Sequence, residues 1–230
     1  MTHPYNCHDN FVVAIDGPAG SGKSTMAKLL AKEIDGVYVD TGAMYRAVTA
    51  YALNSSIDTS DEEAVSQMAK NIRIEFERDG NTQQKVFVNG VDFTARIREP
   101  DVNDHVSTVA AYPAVRRLMV TKQRAMGRHG RIVMEGRDIG TNVFPSARFK
   151  FFLTADDDIR ADRRLKELGN AGHTVSKDGV LKNIQARDKK DSEREESPLL
   201  KAEGALEIST TDLTIDEVLQ KMLKSLVSGS

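Results

Sequence analysis

Asp16-Gly-Pro-Ala-Gly-Ser-Gly-Lys-Ser-Thr25 follows directly on the apolar run Phe11 to Ile15. Gly17, four further residues and then Gly22-Lys23-Ser24 is the spacing in which backbone N–H groups surround phosphates, a lysine reaches the outer phosphates and a hydroxyl ligates Mg²⁺. A β-branched strand leads in, and Ser24 to Ile34 reads as an amphipathic helix whose positive N-terminal end faces the anion. The competing reading is a glycine-rich turn that binds nothing. Eight matched positions in strand, loop, helix order weigh against it. The stretch therefore predicts a nucleoside triphosphate site built from Gly17, Pro18, Ala19, Gly20, Ser21, Gly22, Lys23, Ser24 and Thr25, with Ser24 as the metal-ligating group.

Outward from this loop the elements alternate in the α/β manner. Strands are expected at Phe11 to Ile15, Val37 to Val39, Ile132 to Met134, Phe149 to Leu153 and Leu206 to Ile208, all short apolar runs of the kind buried in parallel sheets. Helices are expected at Ser24 to Ile34, Ala43 to Leu53, around Ala114 to Met126, around Ile159 to Leu168, at Gly179 to Lys190 and at Ile215 to Leu226. Thr214 with Glu217 reads as a capping box for the last helix, and Ser60 with Glu63 as one for a helix over Asp61 to Lys70.

Two regions break the alternation. Ile72 to Arg98 has strand period, with turn signals at Asp79-Gly80 and Asn89-Gly90, and predicts a small antiparallel meander inserted between the second and third main strands. Either it is a surface excursion or it builds the acceptor side of a cleft, and the second reading is favoured. Ala155 to Ser197 carries Arg160, Arg163, Arg164, Arg187 and Arg194, with carboxylates about equal in number to its basic side chains taken together. Two helices joined through Gly169 to His173 make either a solvated hairpin or a mobile lid that brings arginines onto transferring phosphates.

Composition narrows the class. At 230 residues the chain is ample for one large domain with a modest insertion. A formal net charge of −2 supplies no basic field for nucleic acid. The single Cys7 allows neither an intrachain disulfide nor a cysteine metal cluster. Residues 1 to 10 are polar and read as a loose tail, and no apolar run reaches membrane-spanning length. A cytoplasmic enzyme is the expectation, with no nucleic-acid or membrane partner.

Four further motifs carry a resemblance. Asp40-Thr-Gly-Ala-Met-Tyr-Arg46, Ser107-Thr-Val-Ala-Ala-Tyr-Pro-Ala-Val-Arg116, Glu135-Gly-Arg-Asp-Ile-Gly-Thr141 and Arg187-Asp-Lys-Lys-Asp191 are similar, in order and spacing, to those of bacterial cytidylate kinases. The similarity covers the chain beyond its N-terminal tail. It implies a P-loop nucleoside monophosphate kinase domain over 11–230: a five-stranded parallel sheet flanked by helices, a monophosphate-binding insertion at 71–104 and a short lid at 155–197. The implied reaction moves a phosphoryl group from ATP to CMP or dCMP with Mg²⁺, in a protein that is typically a monomer.

The resemblance also implies roles. Arg46 and Arg137 would grip the acceptor monophosphate, a task that suits the planar guanidinium fork. Thr41 and Tyr45 would line the nucleoside pocket, although Thr41 also reads as the N-cap of the following helix. Ser107 and Arg116, the latter oriented by Asp138, would read the cytosine edge. The alternative is that Asp138 serves Mg²⁺ or packing. Arg187 would touch phosphate, Asp191 the ribose hydroxyls, and Arg194 would be a further lid arginine. By spacing alone, Arg187 and Asp191 make only a helical ion pair. Lys23, Arg137, Arg187 and Arg194 are the expected catalytic set, with no general base needed because a monophosphate oxygen is already anionic. For a second metal ligand, Asp16, Asp40 and Glu135 remain open.

A kinase for another small acceptor would share the loop and the arginines. A nucleotide switch would need Asn-Lys-x-Asp and Asp-x-x-Gly, and an ATP-driven transport subunit would show Ser-Gly-Gly; the chain contains none of these.

Overall fold

The computed structural model describes residues 10–79, 83–170, 172 and 174–228. The expected tail over 1–10 lies almost wholly outside them, as do Gly80 of the expected Asp79-Gly80 turn and two positions of the 169–173 link. In chain order the elements are β1 (Phe11–Asp16), α1 (Lys23–Glu33), β2 (Val37–Asp40), α2 (Thr41–Asn54), α3 (Glu62–Asn71), β3 (Ile74–Asp79), β4 (Gln83–Val88), β5 (Val91–Asp92), α4 (Pro100–Val109), α5 (Pro113–Met126), β6 (Arg131–Gly136), β7 (Phe149–Thr154), α6 (Asp157–Asn170), α7 (Lys177–Glu193), β8 (Leu206–Ser209) and α8 (Ile215–Ser228). They form two compact units, one of residues up to 39 and from 127 onward, the other of residues 40–126.

The first unit is built on a five-stranded parallel sheet in the order β2-β6-β1-β7-β8. Its central strand β1 runs parallel to β6 on one side, with Val13 opposite Val133, and parallel to β7 on the other, with Ile15 opposite Phe151. Because both faces of β1 are covered, its side chains are apolar without alternation, and Val13, Ala14 and Ile15 are fully buried. Met26, Ala27 and Leu30 of α1 pack there with Leu153 and with Val218, Met222 and Leu226 of α8. The capping box of α8 forms as expected: Glu217 N donates to Thr214 Oγ1 at 3.3 Å and Thr214 N to Glu217 Oε2 at 2.8 Å. β8 is a four-residue edge strand whose Leu206 is 42% exposed and whose Glu207 pairs with Lys201 at 2.8 Å. The α6–α7 pair has its own small core of Ala161, Val180 and Ile184.

In the second unit α2 carries nine buried residues, with alanine at 43, 47, 50 and 52. Small side chains let neighbouring elements approach closely, and Val102, Val106 and Val109 of α4 share this core. The meander forms the three-stranded antiparallel sheet β3-β4-β5. Asn89 and Gly90 turn it with φ of +50° and +78°, the left-handed pair that a two-residue hairpin demands.

Several details differ from the sequence expectations. The third strand is only Val91–Asp92, because Thr94 Oγ1 accepts the Val86 N–H at 2.9 Å and the chain then coils into a 3₁₀ turn at Arg96–Arg98. α4 is an additional helix, and residue 104, the boundary given to the insertion, falls inside it. The helix over 62–71 is capped not by Ser60 but by Asp61, which accepts from Ala64 N at 2.9 Å, while Ser60 bonds Asp58. Nor does Thr41 cap α2. Asp40 accepts from Ala43 N at 2.9 Å, and Thr41 is the first helical residue.

Candidate active site

The phosphate loop leaves the carboxyl end of β1, where ligands bind in open α/β sheets. Gly17, Gly20 and Gly22 have φ of +146°, +74° and +91°, backbone conformations that let the loop turn tightly between β1 and α1. At Gly17 no side chain is possible, since a Cβ would stand 2.1 Å from the Leu153 carbonyl oxygen. Gly22 starts α1 without a side-chain cap, and no acidic residue occupies the first turn, so the positive helix end stays open to an anion. Ser24 and Thr25 are exposed there. Lys23 folds back over the loop and donates to Pro18 O at 2.6 Å and Ser21 Oγ at 3.4 Å.

Burial, followed by the charges of Arg137 and Arg187, pulls the Lys23 ammonium down to about 7, with Glu135 acting in the opposite sense. The positive charges of Arg137 and Arg187 thus act on a lysine at the loop, the electrostatic setting that suits a phosphate.

The end of β6 supplies the next group. Asp16 accepts from Ile139 N at 2.8 Å and Gly140 N at 2.7 Å, and so fixes a single π-helical turn at Ile139–Val143. Burial pushes the Asp16 carboxyl up to about 6, only partly offset by those two N–H groups. Ahead of this turn Arg137 donates from Nε to Asp191 Oδ2 at 2.9 Å, and Arg194 Nη1 lies 3.5 Å from Asp191 Oδ1. Burial raises the Asp191 carboxyl, but Arg137, Arg187 and Arg194 together bring it below the ordinary range. Asp191 therefore engages β6 and does more than pair along its own helix. Arg194 lies just past the end of α7, its Nε donating to Ser197 O at 2.7 Å. Asp138 is buried and accepts from Asn142 Nδ2 at 3.1 Å, and Asn142 also donates to Ser197 Oγ.

The second unit holds the remaining expected residues. Arg46 donates from Nη2 to Asp40 Oδ2 at 2.7 Å, one turn into α2. Arg116 is 2% exposed, donates to Ala110 O at 3.1 Å and lies 5.4 Å from the ring of Tyr45. Thr41 is buried, and Ser107 is half-buried on α4.

Among the metal candidates, both Asp16 oxygens are occupied by backbone N–H groups, and Asp40 is committed to Arg46 and to the cap of α2. Glu135 remains, held by the Tyr38 hydroxyl at 2.5 Å. No group of three or more His, Cys, Asp or Glu able to hold an ion occurs among the described residues. An exposed hydroxyl at the α1 terminus fits a cation carried mainly by substrate phosphates.

Sequence reasoning does not single out Asp188, which accepts the Ala19 N–H at 3.1 Å, nor the role of Arg160, which donates to Ala19 O at 2.9 Å. Asp188 sits inside a quoted motif, yet its partner is 169 positions away.

A central strand ending in a phosphate loop, with a buried lysine and flanking guanidinium groups, defines a P-loop phosphotransferase. The sequence model of the family described as cytidylate kinase matches residues 13–228, and the chain belongs to that family. A cytidylate kinase of Bacillus cereus (strain B4264) is 50% identical over 94% of this chain and 96% of its own length. One of Bacillus thuringiensis (strain Al Hakam) is 48% identical over the same shares. In fold alone the chain also resembles an uncharacterized protein of Eubacterium ventriosum, with a TM-score of 0.50 and 14% identity over 95% of this chain and 99% of that one. No helix among the described residues is long and apolar enough to cross a membrane.

Proposed function

We propose that this protein transfers the γ-phosphoryl group of ATP to CMP or dCMP, giving ADP and CDP or dCDP. The observation that carries the reading is the buried Lys23 folded over a glycine loop at the carboxyl end of β1, in a chain of the cytidylate kinase family. Residues Gly17 to Thr25 hold the donor phosphates through backbone N–H groups and the α1 terminus. Ser24 would hold a Mg²⁺ carried mainly by the donor phosphates, and the ion would supply charge neutralisation there. Lys23 keeps its ammonium against the moving group. Arg46 and Arg137 orient the acceptor phosphate, each preset by a carboxylate, Asp40 and Asp191 respectively. Positioning and charge neutralisation supply the acceleration, because the attacking oxygen needs no base.

Ser107, Arg116 and Asp138 read the cytosine edge, Thr41 and Tyr45 line the nucleoside, and Asp191 serves the ribose. The segment 71–104 is the acceptor-binding insertion, and 155–197 the lid, with Arg187 and Arg194 as its phosphate contacts. The enzyme works as a cytoplasmic monomer. A coupled ADP-release assay over CMP, dCMP, UMP, AMP and GMP tests the reading: turnover should be fastest with CMP and dCMP, and a preference for any other acceptor overturns it.

A further inference from the structure

The Ala19 peptide groups are gripped from two helices at once. Asp188 of α7 accepts the Ala19 N–H with Oδ1 at 3.1 Å, and Arg160 of α6 donates from Nη1 to the Ala19 carbonyl at 2.9 Å. The same Nη1 donates to Asp188 Oδ2, closing a ring of loop, α7 and α6. Arg160 Nη2 donates to Asp157 Oδ1, and the other oxygen of Asp157 takes Gln185 Nε2 of α7 at 2.9 Å. The guanidinium is thus held flat between two carboxylates with its side chain only 6% exposed. A buried arginine with this many partners is far more constrained than a surface ion pair, and its geometry is transmitted to whatever it touches.

What it touches is the start of the phosphate cradle. In a trans peptide the N–H points opposite to the C=O, so a carbonyl of Ala19 pinned on Arg160 turns the Gly20 N–H away from α6. Asp188 meanwhile occupies the Ala19 N–H, which is then withheld from any anion in the loop. Packing enforces the same register. A Cβ at Gly20 would stand 3.1 Å from both Cβ and O of Arg160, so the loop lies directly against α6. Asp188 also follows Arg187 in sequence, one residue or about 100° round the helix. Seating Asp188 on the loop fixes the rotation of α7 and with it the direction of Arg187, whose charge acts on Lys23.

We propose that Arg160 and Asp188 are positioning residues for phosphoryl transfer: by clasping the Ala19 peptides they aim the Gly20 N–H at the donor's β-phosphate end and set Arg187 beside Lys23. This rests on the reading of Gly17 to Thr25 as the donor site. Neither residue touches substrate. Their effect is on the shape of the loop and the seating of α6 and α7.

Four variants of the full chain test it: Asp188→Asn, Arg160→Lys, Lys177→Ala and Lys23→Ala. The asparagine of Asp188→Asn keeps an acceptor for the Ala19 N–H but presents an NH₂ to Arg160, and the lysine of Arg160→Lys keeps the charge but loses the two-pronged bridge. Lys177 binds Asp162 at 2.8 Å and so ties α6 to α7 without touching the loop, which controls for simple loosening of the helix pair. Readouts are kcat, KM for CMP, melting temperature, and calorimetric Kd for ADP and for AMP, which lacks the β-phosphate. The clasp variants should lose roughly 10- to 100-fold in kcat, with KM for CMP within about threefold of wild type. The preference for ADP over AMP should shrink by about fivefold or more, since the lost N–H aim is felt by the β-phosphate. Lys177→Ala should leave all of these unchanged. If Arg160→Lys does not fold, Asp188→Asn decides alone. An unaltered ADP to AMP ratio in Asp188→Asn, or an equal effect in Lys177→Ala, overturns the inference. If instead Lys23→Ala turns over like wild type, it is the donor-site reading that fails.

Discussion

Arg137 and Asp191 meet at 2.9 Å and join the end of β6 to α7, so the arginine expected to grip acceptor phosphate and the carboxylate expected to hold ribose are a preassembled pair. Asp191 accepts from Arg137 through Oδ2 while Arg194 approaches Oδ1, which leaves its carboxyl pKa below the ordinary 3.8.

That shift has a pH consequence. A carboxylate whose folded value lies below its unfolded one contributes stability that is present above the unfolded pKa and is lost as pH falls through the folded value. Melting temperature should therefore fall as pH drops below about 4, and Asp191→Asn should flatten this acid limb while costing roughly 1–3 kcal/mol at neutral pH. Thermal scans from pH 3 to 7 on both proteins check it, and an unchanged acid limb counts against the pairing.

Lys23 gives the same sign of pH dependence in a higher pH window. Its ammonium titrates near 7 in the folded protein against 10.5 ordinarily, so between those values the unfolded chain binds more protons and stability rises with pH. Bound phosphate should restore the charge. Calorimetry of ADP binding near pH 7.5 in buffers of different ionisation enthalpy should show net proton uptake, absent in Lys23→Ala. The same variant should lose about 100-fold or more in kcat while melting no lower than wild type.

Base discrimination is tested at Arg116, which is buried on α5 against Tyr45. Arg116→Met keeps the stem and deletes the hydrogen-bonding head. The change should reduce kcat/KM for CMP by roughly 2–4 kcal/mol, and less for UMP, so the preference narrows. Equal loss on both bases would mean that Arg116 does not read the ring. Since Ala110 O also loses its donor, stability should drop by about 1 kcal/mol.

The caps are checked more simply. Asp61→Ala should cost about 1 kcal/mol by removing the acceptor for Ala64 N, whereas Ser60→Ala should cost only a few tenths. Equal losses by denaturant titration would argue against Asp61 as the cap.

The order of the main elements could be read from sequence because the buried parallel strands are built around unbroken apolar runs, Phe11 to Ile15 in β1 and Ile132 to Met134 in β6, and the glycines of the loop sit where φ must be positive. α4 carries legible signals, Pro100 at its first turn and valines at 102, 106 and 109, but they fall in a stretch that reads as insertion and motif. The caps slip by one residue because Asp40 and Thr41, or Ser60 and Asp61, are chemically equivalent candidates standing side by side. The π turn and the clasp are not legible at all. Asp16 shapes Ile139 and Gly140 across 123 and 124 positions, and only the fold brings them together.

The outermost strand β8 bears on how the protein behaves when crowded. An open sheet margin offers unpaired backbone to any passing strand, yet here that margin is four residues long and carries Glu207 locked to Lys201. A neighbour annealing to it would bury a charge for little ladder gained. Replacing Glu207 by valine would turn Leu206-Glu-Ile208 into a continuous apolar strip, trading colloidal solubility for stickiness without touching a single catalytic group.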